Sequence, residues 1–139
     1  MLGKSTIAAI AFGVLFSNSP ASADPETVAR QLGEHWANCD AEGWLSMRSE
    51  NSVMFGRSFR SKGRQQLSGF IDHVMSNSCV DGVNTTVITG YKASDKLVQI
   101  FWTNEVGGIT GVDTVLIEDG KVEGQSTATF PLVANTVSQ

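Results

Sequence analysis

The clearest structural signal in this sequence is the stretch GVDTVLIEDGKV, residues 111–122. Its first part is mostly β-branched or apolar, which is typical of a strand. Residues 118–121, EDGK, contain the Asp-Gly pair that favours a tight turn, and a second apolar run begins at Val122. The stretch therefore predicts an antiparallel hairpin with strands at 109–117 and 122–130.

Two further strand patterns precede this hairpin, at residues 83–89 and 97–103, and turn residues separate them. Together the four strands predict an antiparallel meander. A shorter apolar strand at 53–55 lies earlier in the chain, with 58–61 as its hairpin partner.

Three helices are predicted before the meander. The first runs from Pro25 to about Asn38, the second is capped by Asp40, and the third is opened by Gly63. Apolar residues of the third helix recur at the spacing of a helix that packs on a sheet. This order predicts an α+β domain in which the helices cover one face of a curved sheet and enclose a cavity.

Residues 1–23 have the pattern of a secretory signal peptide. Lys4 supplies the positive charge, residues 7–16 the apolar run, and Ala21-Ser22-Ala23 the cleavage motif. A membrane anchor is the alternative, but an apolar run of about ten residues is far shorter than the about 20 that span a bilayer. We therefore expect cleavage after Ala23 and export of one domain, residues 24–139, to the periplasm or the medium.

The charge of the exported domain argues against two classes of partner. Without the signal peptide, nine Lys and Arg stand against 14 Asp and Glu, which gives a net charge of −5. Proteins that bind nucleic acid or anionic membranes are usually basic. We therefore expect neither a nucleic acid nor a membrane as partner.

Cys39 and Cys79 are the only cysteines of the sequence. Export would place them where disulfides form and persist, so a bridge between them is the favoured interpretation. Two separate buried thiols are the alternative. Neither cysteine has the paired spacing of a zinc or redox motif, and the sequence therefore predicts no metal site and no cofactor.

Three stretches resemble the NTF2-like superfamily, and its SnoaL-like members in particular. They are WANCD at 36–40, GRQQL at 63–67, and residues 111–122. The resemblance implies a cone-shaped α+β barrel, with three N-terminal helices packed on a curved antiparallel sheet around a deep pocket. It also implies frequent dimers through the outer face of the sheet, but no single function.

Asp113 is the first candidate for chemistry, because it interrupts an apolar strand on the face that carries Val115 and Ile117. In the resemblance it matches the pocket acid of ketosteroid isomerases or the base of SnoaL-like cyclases. In the resemblance, the tyrosine of the isomerases aligns with Leu32 and their general-base aspartate aligns near Gly56. Leu32 cannot donate the hydrogen bond of the tyrosine, and Gly56 cannot act as a base. Steroid isomerisation is therefore not expected. An outward-facing or structurally hydrogen-bonded Asp113 is the alternative.

His35 is the second catalytic candidate. It follows Leu32 by three residues on the first helix and could reach the cavity, where it would form an acid and base pair with Asp113. The alternative is a surface or structurally hydrogen-bonded histidine. His73, beside Asp72, is expected to be exposed.

The remaining candidates concern binding. Arg57, Arg60 and Arg64 lie in a basic segment of an acidic protein and could contact an anion. A solvated strand edge explains the same charges. The predicted walls of the ligand pocket are Leu32, Trp36, Phe55, Phe70 and Val115.

The sequence thus leads to three hypotheses. The favoured one is an exported domain that binds a small, mainly apolar organic molecule and uses no cofactor. The first alternative is a cofactor-free isomerase, dehydratase or cyclase that uses Asp113 with His35. The second is an interaction or accessory module that uses the outer face of the sheet to pair with a second copy, as a homodimer, or with another partner.

Overall fold

The structure is a computed structural model that describes residues 23–133. The predicted signal peptide, apart from Ala23, lies outside the described residues. No helix within this part of the chain is long and apolar enough to cross a membrane. Its elements are α1 (Pro25–Ala37), α2 (Ala41–Ser46), β1 (Arg48–Phe55), β2 (Arg60–Lys62), α3 (Gly63–Ser78), β3 (Cys79–Val80), β4 (Val83–Asn84), β5 (Val87–Ser94), β6 (Leu97–Asn104), β7 (Ile109–Glu118) and β8 (Lys121–Pro131).

Two aspartates begin the first two helices. The Asp24 carboxylate accepts a hydrogen bond from the Thr27 backbone N–H at 3.0 Å, and Pro25 lies in the first turn of α1. Asp40 begins α2 in the same way, since it accepts from the Gly43 backbone N–H at 2.9 Å. The cap at Asp40 is thus confirmed.

A six-stranded sheet forms the body of the domain, with strand order β2-β1-β8-β7-β6-β5. Its neighbouring strands are antiparallel except β1 and β8, which are parallel. Register shifts interrupt three of the ladders, and such bulges bend strands and increase their twist. The result is the predicted α+β architecture, with helices on a curved, mostly antiparallel sheet.

The hairpin predicted from residues 111–122 joins β7 to β8. Glu118 pairs with Lys121, and Asp119 and Gly120 between them have φ values of 48° and 73°. Two consecutive residues with positive φ form the type I′ turn, whose twist matches that of the flanking strands. The hairpin is therefore confirmed.

The predicted strand at 83–89 is wrong, because the chain forms two strands there. β4 pairs with β3, and β5 begins only at Val87. The interruption follows from Asn84, whose side chain donates to the Trp36 carbonyl at 3.1 Å and accepts from the Thr86 backbone N–H at 2.9 Å. Such local side-chain hydrogen bonds compete with the ladder of a sheet.

Strand β1 begins at Arg48 rather than at Val53, and its hairpin partner β2 begins at Arg60 rather than at Ser58. The added part of β1 pairs with β8, where Arg48 lies opposite Val122. Asn and Glu are depleted in strands, so the neighbouring strand determines the conformation of this segment.

The apolar core lies between the inner face of the sheet and the helices. Helix α3 contributes Leu67 and Ile71, and the strands contribute Val98, Val115 and Val122; all five are 0% exposed. Full burial of such a side chain contributes about 1.5–3 kcal/mol to folding. This part of the molecule supplies most of the stability.

The predicted bridge between Cys39 and Cys79 is present, with the two Cα atoms 6.2 Å apart. Cys39 lies between α1 and α2, and Cys79 directly follows α3. The disulfide therefore joins the C-terminal ends of two helices that pack against the sheet. Both cysteines are half-buried.

Candidate ligand cavity

A cavity of about 370 Å³ lies between the inner face of the sheet and the three helices. Pockets for small molecules range from about 300 to about 1,000 Å³. Its wall is mainly apolar, so it would favour molecules with an apolar body. Its apolar lining includes Leu32, Met54, Phe59, Phe70, Ile88 and Ile100.

All three tryptophans of the sequence line this cavity. Trp36 lies on α1, Trp44 on α2 and Trp102 on β6. Aromatic side chains combine a large contact area with limited flexibility. A ligand in the cavity would therefore contact tryptophan side chains, whose fluorescence can report its binding.

Asp113 places a carboxyl group in the wall, from the inner face of β7. One oxygen accepts a hydrogen bond from the Trp102 indole at 3.1 Å, and the other accepts from the Gln125 amide at 2.8 Å. Gly111 makes room for this arrangement, because a Cβ atom there would overlap the indole. Gly111 and Asp113 thus both position the Trp102 indole in the cavity wall.

Arg48 lies behind Gln125 and donates a hydrogen bond to the Gln125 amide oxygen. It is 6% exposed, and its guanidinium stacks on the Trp44 ring at 3.6 Å from the ring centroid. A second hydrogen bond, of 3.4 Å, reaches the Ser52 hydroxyl. We call the connected side chains Trp102, Asp113, Gln125 and Arg48 the polar network.

Burial and neighbouring charge shift the pKa values of Asp113 and Arg48 in opposite directions. Burial raises the pKa of Asp113, whereas hydrogen bonds from Trp102 and Gln125, the nearby Thr127 hydroxyl and the charge of Arg48 lower it. Burial likewise lowers the pKa of Arg48 to about 9, and the charge of Asp113 opposes this decrease. Arg48 therefore remains a cation at neutral pH.

Thr127 lies directly opposite Asp113 in the β7–β8 ladder, and it also lines the cavity. Its hydroxyl is near enough to lower the pKa of Asp113. Its oxygen is nevertheless buried without a hydrogen bond of normal geometry to any residue in the range 23–133. Buried hydroxyls usually have a partner, so this group has hydrogen-bonding capacity to spare.

No protein-family model and no curated protein matches this sequence. Solved structures do match. A SnoaL-like protein of unknown function from Burkholderia thailandensis gives a TM-score of 0.66 at 14% identity, over 76% of this chain and 94% of the other. An NTF2-like protein of unknown function from Mesorhizobium loti gives 0.65 at 14% identity, over 78% and 93%. A candidate isomerase of the SnoaL-like family from Agrobacterium tumefaciens gives 0.58 at 16% identity, over 74% and 94%.

This chain has the NTF2-like fold. The resemblance derived from the three sequence stretches is thereby confirmed at the level of the fold. Identities of this size establish the fold alone, so the function has to be argued from the cavity itself.

Of the five predicted wall residues together with Asp113, four line the cavity and two do not. Leu32, Trp36, Phe70 and Asp113 line the wall. Phe55 does not, because the strand alternation turns its neighbour Met54 inward and leaves Phe55 51% exposed. Val115 does face inward, but it packs in the closed core and not in the cavity wall.

His35 does not reach the cavity, contrary to the expectation from its spacing. Its ring lies 2.8 Å from the Asp40 carboxylate, at the junction of α1 and α2. Three residues along a helix turn a side chain about 60° from the original direction, and here that rotation points His35 toward α2. The structure therefore does not bring His35 and Asp113 together. His73, exposed as predicted, lies on the cavity wall instead.

The basic segment also lies outside the cavity wall. Arg57, Arg60 and Arg64 are exposed, and the guanidinium of Arg64 is 3.8 Å from the Glu42 carboxylate. Within residues 23–133, no group of three or more His, Cys, Asp or Glu side chains could hold a metal ion. That these arginines contact an anion stays a prediction, since none of the three lines the cavity.

Sequence reasoning missed Arg48 and Gln125 as members of the site. Gln125 could have been found, because it is a polar residue at an inward position of the predicted strand 122–130. Arg48 gave no such signal, since it precedes the predicted start of β1. Its burial depends on contacts with Trp44 and with Gln125, which is 77 residues away in sequence.

Proposed function

We propose that this domain binds a small, mainly apolar organic molecule in its cavity. The observation that carries the proposal is a mainly apolar cavity of about 370 Å³ with one polar network in its wall. A large apolar surface with a few placed polar groups is the usual design of a small-molecule site. Binding requires no cofactor.

The geometry does not assemble the acid and base pair of Asp113 and His35 that the sequence predicts. A general acid and a general base must both reach the reacting atoms, and only Asp113 of the two candidates lines the cavity. His35 is engaged with Asp40 outside it. Binding therefore stands as the principal proposal.

Native mass spectrometry of protein isolated from an exporting host tests the proposal directly. We expect the wild-type protein to retain a small molecule, or to bind one from a library of apolar compounds with a change in tryptophan fluorescence. Val74→Phe adds bulk to the cavity wall and should abolish binding. Val80→Phe is the matched control, because Val80 is 58% exposed and does not line the cavity. Equal binding by both variants would count against the cavity as the site.

We also propose that the domain is exported. The Cys39–Cys79 disulfide supports this, because disulfides persist in oxidising compartments. Mass analysis of the protein under non-reducing conditions should give a chain that begins at Asp24 and lacks two hydrogens. A chain that retains residues 1–23 would contradict the proposed cleavage.

A second candidate function is self-association through the outer face of the sheet. Phe55, Phe101 and Phe130 are between 38% and 54% exposed on this face, which carries no helix. Phe101 pairs with Val112, and Val112 pairs with Ala128, so apolar residues form a continuous row across three strands. Exposed apolar surfaces of this kind are typical of protein interfaces.

Light scattering measures this directly. We expect the wild-type protein to have the mass of a homodimer and Phe101→Asp to be monomeric. Val106→Asp is the control, because Val106 is 84% exposed but lies in a turn outside the sheet. A wild-type protein that remains monomeric at high concentration would overturn self-association and leave the binding proposal intact.

A further inference from the structure

We propose that the cavity selects neutral molecules that carry a hydroxyl group, and that this hydroxyl donates a hydrogen bond to Asp113. The inference rests on the proposed function, because it names the class of molecule that the cavity would bind. It is argued from the donors and acceptors of the polar network and from the spare hydroxyl of Thr127.

The hydrogen bonds of the polar network all run toward Asp113. Arg48 has only donors, so the oxygen of the Gln125 amide must face Arg48 and the amide nitrogen must face Asp113. The Trp102 indole also has only a donor, and it binds the other carboxyl oxygen. Both oxygens of Asp113 are therefore acceptors, which is the pattern that suits a carboxylate.

This carboxylate has acceptor capacity left over. Each oxygen receives one hydrogen bond of normal geometry from the described residues, whereas a carboxylate offers about four lone-pair sites. Because Asp113 lies in the cavity wall, a ligand can use the remaining sites. Thr127 lies directly opposite Asp113 on the neighbouring strand β8. Its hydroxyl is buried and has no hydrogen-bond partner among the described residues.

A hydroxyl group on the ligand satisfies both residues at once. It has one hydrogen to donate to Asp113 and lone pairs to accept from Thr127. A ketone has only lone pairs and would place them against those of the carboxylate. A hydrocarbon would leave the remaining acceptor sites of Asp113 and the hydroxyl of Thr127 without a partner in a site that has excluded water, and unsatisfied buried groups cost binding free energy.

The charges of the polar network favour a neutral ligand. Arg48 contributes one positive charge, and Asp113, as the carboxylate that its two hydrogen-bond donors suit, contributes one negative charge, so the network has no net charge to attract an ion. An ammonium group beside Asp113 would be attracted by the carboxylate, but Arg48 already balances that charge. The site would then hold one unbalanced positive charge in a mainly apolar wall, and burial of an unbalanced charge is costly.

Four probes that share one hydrocarbon cage separate these possibilities: adamantane, 2-adamantanone, 2-adamantanol and 2-adamantylamine. Their affinities are measured at neutral pH by tryptophan fluorescence and calorimetry, on protein from an exporting host. We expect the alcohol to bind about tenfold more tightly than each of the other three, a ratio that corresponds to about 1.4 kcal/mol.

Two variants assign the preference to the named groups. Asp113→Asn should reduce the advantage of the alcohol over the ketone to less than about threefold, because the carboxylate acceptor is lost. Its control is Asp119→Asn in the exposed turn, where the positive φ suits Asn.

Thr127→Val leaves the polar network intact and should reduce the advantage of the alcohol over the ketone about threefold. Its control is Thr114→Val on the outer face of β7. Thr127→Val keeps the test valid if Asp113→Asn does not fold.

The outcomes distinguish this inference from the proposed function. Binding of all four probes without preference for the alcohol would overturn the inference and leave small-molecule binding standing. A preference for the ketone would also overturn it, because Asp113 would then act as a protonated donor. An alcohol preference that survives Thr127→Val and Asp113→Asn would place the hydroxyl elsewhere. Binding of none of the probes would overturn the inference and count against the proposed function as well.

Discussion

The inner face of the sheet is a closed core at one end of its strands and a cavity wall at the other. Strand β7 passes from Asp113 in the cavity to Val115 and Ile117 in the core within five residues. Strand β8 makes the same change from Thr127 and Gln125 to Val122, which is 0% exposed. One sheet thus carries two environments, and the helices cover both.

The difference lies in the side chains that the strands present. At the core end they are branched aliphatic residues that are almost fully buried, and their burial stabilises the fold. At the cavity end, polar residues hold each other in place through hydrogen bonds and leave space for a ligand. The Cys39–Cys79 disulfide joins the helices at this end. Cys79 directly follows the cavity residue Ser78, and Cys39 lies three residues after Trp36, which also lines the cavity.

The largest effect should come from moving a carboxyl group from the cavity end to the core end. Val115→Asp places it two residues beyond Asp113, on the same face but without any hydrogen-bond donor of the polar network. Burial of an unpaired charge should cost more than about 4 kcal/mol and leave the protein largely unfolded. Val112→Asp, on the outer face of the same strand, is the control. Comparable stability of the two variants in urea unfolding would show that the core end is not closed.

Removal of the disulfide should have the next largest effect. A bridge that closes a loop of 40 residues contributes about 4 kcal/mol on the chain-entropy model. We expect Cys39→Ser with Cys79→Ser to lower the free energy of unfolding by about that amount. Hydrogen exchange should show the loss of protection first around Trp36 and Ser78, at the cavity end. Uniform loss across the core strands instead would mean that the bridge stabilises the whole domain equally.

A smaller effect should follow from interruption of the polar network at its centre. Gln125→Leu removes the side chain that joins Arg48 to Asp113 and leaves two buried charged groups with fewer partners. Unsatisfied groups of this kind cost about 1–3 kcal/mol. Gln99→Leu, on the outer face of β6, should change stability by less than about 0.5 kcal/mol. Equal losses in both variants, measured by chemical denaturation, would show that the network adds nothing to the cavity end.

The core end could be predicted from the sequence far better than the cavity end. Helix stripes and strand patterns are local, so Leu67, Ile71 and the hairpin at 118–121 follow from spacing alone. Asp113 could also be predicted, because a carboxyl group on an apolar strand face contradicts the pattern around it. These signals need no knowledge of distant residues.

The rest of the cavity depends on contacts between distant parts of the chain. Arg48 is buried because Trp44 stacks on it and Gln125 accepts its hydrogen bond, and neither contact has a local pattern. The direction of His35 depends on where α2 lies relative to α1, which helical spacing does not fix. In a strand as short as 53–55, spacing also cannot decide which of Met54 and Phe55 faces inward.

The last prediction concerns the pH dependence of the cavity end. Burial raises the pKa of Asp113 in the folded protein above its value in the unfolded chain, so the folded state binds more protons between these two pKa values. The contribution of Asp113 to stability is therefore complete below the unfolded pKa and is lost as the pH rises through the folded pKa. Urea unfolding from pH 4 to pH 8 should show that the stability of the wild type relative to Asp113→Asn decreases as the pH rises. Asp24 and Asp40, whose pKa values hydrogen bonds lower, act in the opposite direction but are present in both proteins and cancel. A relative stability that increases with pH would mean that the hydrogen bonds and Arg48 outweigh burial at Asp113.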